Sequence, residues 1–253
     1  MIKKVSHMLI VALLGASFHA QAKDWPAPIK ALEAHGIEVI GSFEAPGGLT
    51  GYAGVIRQQP IPLYLTPDGR QVIVGPMFDG KGANLSDEPL DRLVGKPMTD
   101  KAWQQLESSA WIADGSKSAP RVVYAFTDPN CPYCSKFWND ARPWVNSGKV
   151  QVRHVMVGII GPTSPGKAAA LLTAKDPQAA LAQHEQQRSK GGLKPLSSIP
   201  KEVQAQLEAN QKLMQQLGSS ATPTIFHKDA DGKLQKTQGA PSAEKLISIL
   251  GPR

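Results

Sequence analysis

Cysteine is almost absent from this chain: two in 253 residues, Cys131 and Cys134, in one C-x-x-C motif. That count excludes a framework of structural disulfides, so a folded chain must rest on packing. It also serves zinc poorly, because there is no second cysteine pair and His154, His184 and His227 show no ligand spacing. No metal and no cofactor is expected. A purely structural disulfide across so short a loop would constrain little of the unfolded chain, which leaves reactivity as the better reading of the pair. Basic runs interleaved with aromatics are missing as well. Aromatics are 6% of the residues and the formal charge of +7 is scattered among acidic side chains, so no nucleic-acid surface is expected. After the first 22 positions no apolar run is long enough to cross a bilayer, and no membrane insertion is expected.

What is present begins with Lys3 and Lys4, an apolar run over 8–14, and Ala20-Gln21-Ala22. This pattern predicts a secretory signal peptide over 1–22, cleaved after Ala22, and a soluble exported protein in an oxidising compartment. A short helix over 29–35 stopped by Gly36, then strands over 37–43, 51–56, 62–66 and 71–75, predict a small α+β domain over 23–82. Pro67-Asp68-Gly69 marks a hairpin turn within it. A domain of about 60 residues buries only about 60% of its unfolded surface, and pairing through a sheet edge would relieve that weakness. Pro89, Gly95 and Pro97 mark 83–98 as a linker, with Thr99 as a candidate cap for a helix over 101–110. Trp103 and Trp111 read as core aromatics rather than as a stacking platform.

The second domain, over 99–253, holds the motif. Val122, Val123, Tyr124, Ala125, Phe126 and Thr127 form a β-branched and aromatic run that predicts a buried strand, and 135–141 predicts an amphipathic helix. Strand, turn and C-x-x-C opening a helix make a reactive dithiol, because free N–H groups and the positive end of the helix dipole stabilise an anion there. Thiols in such sites have pKa values lowered to roughly 3.5–7.5. Cys131, nearest the helix terminus, is then the nucleophile, and Cys134, one turn deeper, the resolving thiol of a Cys131–Cys134 redox disulfide. Tyr133 reads equally as a packed side chain or a substrate contact, and Asp128 as a turn terminator or an influence on the dithiol. A strand over 150–157, helices over 166–174, 177–187 and 201–217, two strands around 221–237 and a last helix over 242–250 complete a sheet covered by helices.

With Cys131-Pro132-Tyr133-Cys134 and the later Thr222-Pro223, this domain resembles a thioredoxin fold, α/β with a helical insertion at about 163–217. Residues 126–138, 142–150 and 63–69 make the whole mature chain similar to the periplasmic disulfide isomerases of the DsbC/DsbG family. DsbC proteins typically carry Gly at the position of Pro132 and a further cysteine pair, both absent here. The resemblance implies a cis Pro223 facing the dithiol, with Pro132, Tyr133, Thr222 and Pro223 as active-site loop and substrate-binding residues. It implies a periplasmic V-shaped homodimer joined by the N-terminal domains and kept reduced by an inner-membrane reductase like DsbD. Its substrates would be misfolded or oxidised exported proteins, attacked at a disulfide or at a sulfenylated cysteine. A DsbA-like net oxidant and a chaperone-like holdase using the dimer cleft are the alternatives.

Overall fold

The computed structural model describes residues 24–253. The expected signal peptide and its cut after Ala22 lie outside the described residues. Contacts divide the chain into two compact units, one ending at Pro76 and the other running from Met77 to Arg253. Among the described residues no helix is long and apolar enough to cross a membrane.

In the first unit, helix α1 (Ala27–Ala31) starts with proline in its first turn and tightens into a 3₁₀ turn, Leu32–His35, that ends on left-handed Gly36. Four antiparallel strands follow in sequence order: β1 (Glu38–Glu44), β2 (Thr50–Ile56), β3 (Gln59–Leu65) and β4 (Val72–Val74). Ile29, Ile37, Tyr52, Leu63 and Leu65 pack into one core under the helix. Gly51 lies opposite Phe43, and a Cβ there would sit 2.3–2.6 Å from the ring, so only glycine lets the ring lie across the strand. Thr66 and Asp68 close the expected turn at Pro67-Asp68-Gly69 through side-chain bonds to each other and to Arg70 and Gln71. The β2–β3 turn has no glycine signal: Arg57 and Gln58 both adopt positive φ, 48° and 63°, as a two-residue hairpin demands.

The second unit opens with a helical run: α2 (Asp87–Leu90), a π-helical turn (Asp91–Gly95) and α3 (Lys96–Glu107). Residues 83–98, read from composition as a linker, are therefore largely helical and group with this unit. The helix does not begin after Thr99 as expected. Pro97 cannot donate to the carbonyl four residues back, and the wide turn over Asp91–Gly95 lets the chain pass it without a stop.

Next come β5 (Trp111–Asp114), β6 (Arg121–Thr127), α4 (Pro132–Asp140), α5 (Arg142–Asn146) and β7 (Val150–Met156). Then follow α6 (Ser164–Leu172), α7 (Pro177–Gln186), α8 (Lys201–Gln216), β8 (Thr224–Lys228), β9 (Leu234–Gln238) and α9 (Ala243–Leu250). The five strands lie in the order β5-β7-β6-β8-β9, with only β6 and β7 parallel. Strand β5 was not expected; four residues beside a helix end give too short an alternation to separate strand from loop.

β6 is central and buried on both faces, so its alternation sorts two cores. Val123 and Ala125 meet Phe137 and Trp144 together with Leu246 and Ile249 of α9. Tyr124 and Phe126 meet Leu106 of α3 and Leu213 and Met214 of α8. Trp103 packs edge-on against Tyr124, as a core aromatic does, and Trp111 is partly buried against the same cluster. A third core joins Ile112 and Met156 to the insertion through Leu171, Leu181 and Leu207. Each such side chain contributes about 1.5–3 kcal/mol, enough to hold β6 fixed while its C-terminal end presents a turn. A fragment spanning 77–253, which keeps all three cores, should unfold in one cooperative denaturant transition. A gradual transition with dye-binding apolar surface would contradict that self-sufficiency.

Candidate active site

At the end of β6 the chain turns through Asp128, Pro129 and Asn130, and Cys131 is the N-cap of α4. Its extended backbone, φ −74° and ψ 115°, aims Sγ back over the first helical turn, where the Cys134 N–H donates to it at 3.2 Å. Pro132 follows at N1, where the missing N–H is of no consequence. Across the turn, Thr222–Pro223 is a cis peptide, and the Cys131 thiol donates to the Thr222 carbonyl at 3.2 Å. The buried Thr222 hydroxyl has no hydrogen-bond partner among the described residues, so it can donate to the sulfur once the thiol proton is lost.

Both cysteines are free thiols and both are about 1% exposed. Cys131 is buried although it caps the helix terminus, because its sulfur lies against the Thr222–Pro223 loop. Tyr133, between the thiols, is 61% exposed and lies outside the buried cores. Hydrogen bonds from Cys134 and Thr222, with the backbone amides of Cys134 and Tyr133, outweigh burial and hold the Cys131 thiol at about 6, against an ordinary 9. Burial, reinforced by the neighbouring Cys131 sulfur, pushes the Cys134 thiol far up instead. The two thiols are thus pushed in opposite directions, Cys131 towards the thiolate and Cys134 towards the thiol.

Asp128 resolves in favour of an organising role. Its fully buried carboxylate accepts from Asn130 N at 2.8 Å and Ser164 Oγ at 2.8 Å through Oδ1. Through Oδ2 it accepts from Ile159 N at 2.6 Å and Ile160 N at 2.9 Å. Asn130 adds bonds from Nδ2 to Thr163 Oγ1 and Ser164 Oγ. The reactive turn is thereby tied to the segment that leads into α6. Beneath β6, His154 bonds Thr127 through Nδ1 and faces Asp114, whose carboxylate also takes both terminal nitrogens of Arg142. Apart from the local Asp128–Asn130 bond, none of these partners was legible in the sequence, since each pairs residues 27 or more positions apart. Among the described residues no group of His, Cys, Asp and Glu is arranged to hold a metal ion.

Replacing Asp128 by Ala strands four donors, two of them the successive backbone amides of Ile159 and Ile160. We expect a loss of about 2–4 kcal/mol in unfolding free energy, with Asp128→Asn recovering part of it. Equal stability of Asp128→Ala and wild type in urea denaturation would contradict the hub.

Residues 112–251 match the model of the thioredoxin-like domain family. Over 243 residues, covering 96% of this chain and 95% of the relative, the sequence is 53% identical to the thiol:disulfide interchange protein DsbG of Pseudomonas aeruginosa. It is 43% identical over 251 residues, 99% of each chain, to the protein of the same name from Escherichia coli K12. Among solved structures, the catalytic domain of Proteus mirabilis ScsC superposes with a TM-score of 0.51 at 21% identity, covering 61% of this chain and 96% of that one, a likeness of fold alone. Matched from end to end by such relatives, and built on a thioredoxin-like domain around its one cysteine pair, the chain belongs to the DsbG family of thiol:disulfide interchange proteins.

Proposed function

We propose that this chain is a periplasmic thiol–disulfide oxidoreductase that works from its reduced state, as an isomerase and reductase of exported proteins. The observation that carries the reading is the split between two thiols one helical turn apart, Cys131 lowered to about 6 and Cys134 raised. Catalysis needs that asymmetry. The Cys131 thiolate attacks one sulfur of a substrate disulfide, forming a mixed disulfide and releasing the other sulfur as thiolate. If a substrate thiolate then attacks the mixed bond at the substrate sulfur, Cys131 leaves reduced and the substrate is isomerised. If the Cys134 thiol, on losing its proton, attacks Cys131, the substrate leaves reduced and the Cys131–Cys134 disulfide remains.

A sulfenylated cysteine enters the same cycle. Cys131 displaces the hydroxyl from the substrate sulfur, which departs as water after taking a proton, and Cys134 resolves the adduct. Either reductive route leaves an oxidised protein, so an inner-membrane reductase of the DsbD kind must return two electrons. Thr222 and Pro223 present an extended edge beside Cys131 on which a substrate segment adds as a strand. Exposed Tyr133 flanks it, and Pro132 keeps the helix start free of an N–H that nothing would accept. The dimerisation expected of residues 23–82 falls to the four-stranded sheet of the first unit, which ends at Pro76 and would join two copies.

The lowered Cys131 value also ties the fold to redox state. The thiolate stabilises the reduced protein fully above the ordinary thiol range, and that stabilisation is lost as pH falls through about 6. A low thiol value favours the dithiol, so the couple should be oxidising, in the range of roughly −120 to −180 mV. The direct test is trapping in the periplasm. Cys134→Ala should accumulate mixed disulfides between Cys131 and exported proteins, and the wild type should accelerate the repair of a scrambled multi-disulfide substrate when supplied reduced. No adducts on Cys131, or activity only when supplied oxidised, would favour a net oxidant instead.

A further inference from the structure

The insertion sends three basic side chains to the outer side of the reactive turn, around a hollow of 250 Å³ lined by Pro129, Asn130 and Gly191 as well. Lys167 of α6 donates to Asn130 Oδ1 at 3.0 Å and to Gly191 O at 2.8 Å. His184 of α7, 1% exposed, accepts the Leu193 N–H on Nδ1 at 3.0 Å, which makes Nε2 the protonated nitrogen that donates to Pro129 O at 2.8 Å. Gly192 has φ +64°, and a Cβ there would fall 2.6 Å from His184 Nδ1, so the imidazole is held tightly in place. Arg188, at the end of the same helical segment, spans two successive carbonyls: one terminal nitrogen reaches Pro129 O at 2.9 Å and the other Asn130 O at 2.6 Å.

Arg188 and Lys167 have no carboxylate partner among the described residues. A guanidinium that is not neutralised by an acid and spends both ends of its fork on backbone carbonyls is an expensive way to close a loop, since a single neutral donor would satisfy one of them. Its geometry explains the choice. The Asn130 carbonyl belongs to the peptide that carries the Cys131 N–H, and that N–H is itself held by Asp128 O at 3.0 Å. With both ends of the peptide fixed, the Asn130 carbonyl oxygen cannot swing towards Sγ and join the Thr222 carbonyl that already lies 3.2 Å from it.

We propose that Arg188 is a positioning residue for the dithiol, pinning the Pro129 and Asn130 carbonyls so that the turn keeps Cys131 in its N-cap conformation. It touches neither the sulfur nor the substrate and acts through the two peptide groups before Cys131. The helical insertion is then part of the active-site scaffold as well as a cover for the sheet. The inference rests on Cys131 being the attacking thiol.

The experiment measures iodoacetamide alkylation of Cys131 against pH in the full-length, reduced protein, comparing wild type with Arg188→Ala, Arg188→Lys and Lys190→Ala. Near-UV circular dichroism verifies that each variant is folded. In Arg188→Ala the midpoint should move up, lowering the thiolate fraction at pH 6 on the order of threefold. Arg188→Lys keeps the charge but can hold one carbonyl at a time, and should shift less in the same direction. Lys190→Ala removes a neighbouring cation that bonds neither carbonyl and should match wild type. A folded Arg188→Ala that is less stable in urea but has an unmoved midpoint would reduce Arg188 to a structural tie and overturn the inference. So would an equal shift in Lys190→Ala, which would reveal a general charge effect. Should Arg188→Ala fail to fold, Arg188→Lys decides, and an unshifted midpoint there overturns the inference as well. Failure of the wild type to show a low midpoint would overturn the assignment of the attacking thiol and is read separately from these differences.

Discussion

The contact between the Cys131 sulfur and the amide end of α4 is the interaction on which the rest of the molecule depends. A helix leaves its first N–H groups without intrahelical partners, and here the cysteine that caps the helix supplies the acceptor. A neutral thiol is a weak acceptor and a thiolate a strong one, so the geometry that completes the helix also favours ionisation. Cys134, one turn along and buried in the same helix, has donors too weak to offset its burial and the Cys131 sulfur beside it, and its value is pushed up. Two chemically identical side chains are separated by their place on a single helical turn.

Keeping that turn in place is a task for the surrounding fold. The central strand β6 is locked by cores on both faces, the Asp128 carboxylate draws in the segment at 159–164, and the insertion closes the outer side on Pro129 and Asn130. The Thr222–Pro223 loop closes the remaining side over the sulfur. Burial of Cys131 to about 1% exposure removes water that would otherwise compete for the amide donors, and it makes those donors count for more. The opposing cost of burying a charge is smaller than the sum of the hydrogen bonds, which is why the thiol value falls and does not rise.

Much of this was legible in the chain because its signals are local. The run from Val122 to Thr127, the C-x-x-C spacing and Pro132 specify a strand, a turn and a helix start without reference to any distant residue. Thr222-Pro223 was recognisable only through resemblance, since a Thr-Pro pair on its own is an ordinary turn. Signals that rest on distant partners were not legible. Nothing around Arg188 or His184 announces that they reach Pro129, and Asn210, which bonds both Ala110 and Met156, reads as a plain helix residue. Local propensity misled at Thr99, where a wide helical turn carries the chain past Pro97, and it is silent at Arg57 and Gln58, where the hairpin imposes positive φ on residues that ordinarily avoid it. In both places tertiary packing overrides a weak preference of the backbone.

The central claim is that the fold gives two neighbouring thiols opposite affinities for a proton, and alkylation of the reduced wild-type protein as a function of pH tests it most directly. The account predicts that Cys131 reacts with a midpoint near pH 6 while Cys134 remains unmodified through neutral pH. Reactivity of Cys131 that rises only near the free cysteine value of about 8.5, or equal labelling of both thiols, would contradict it.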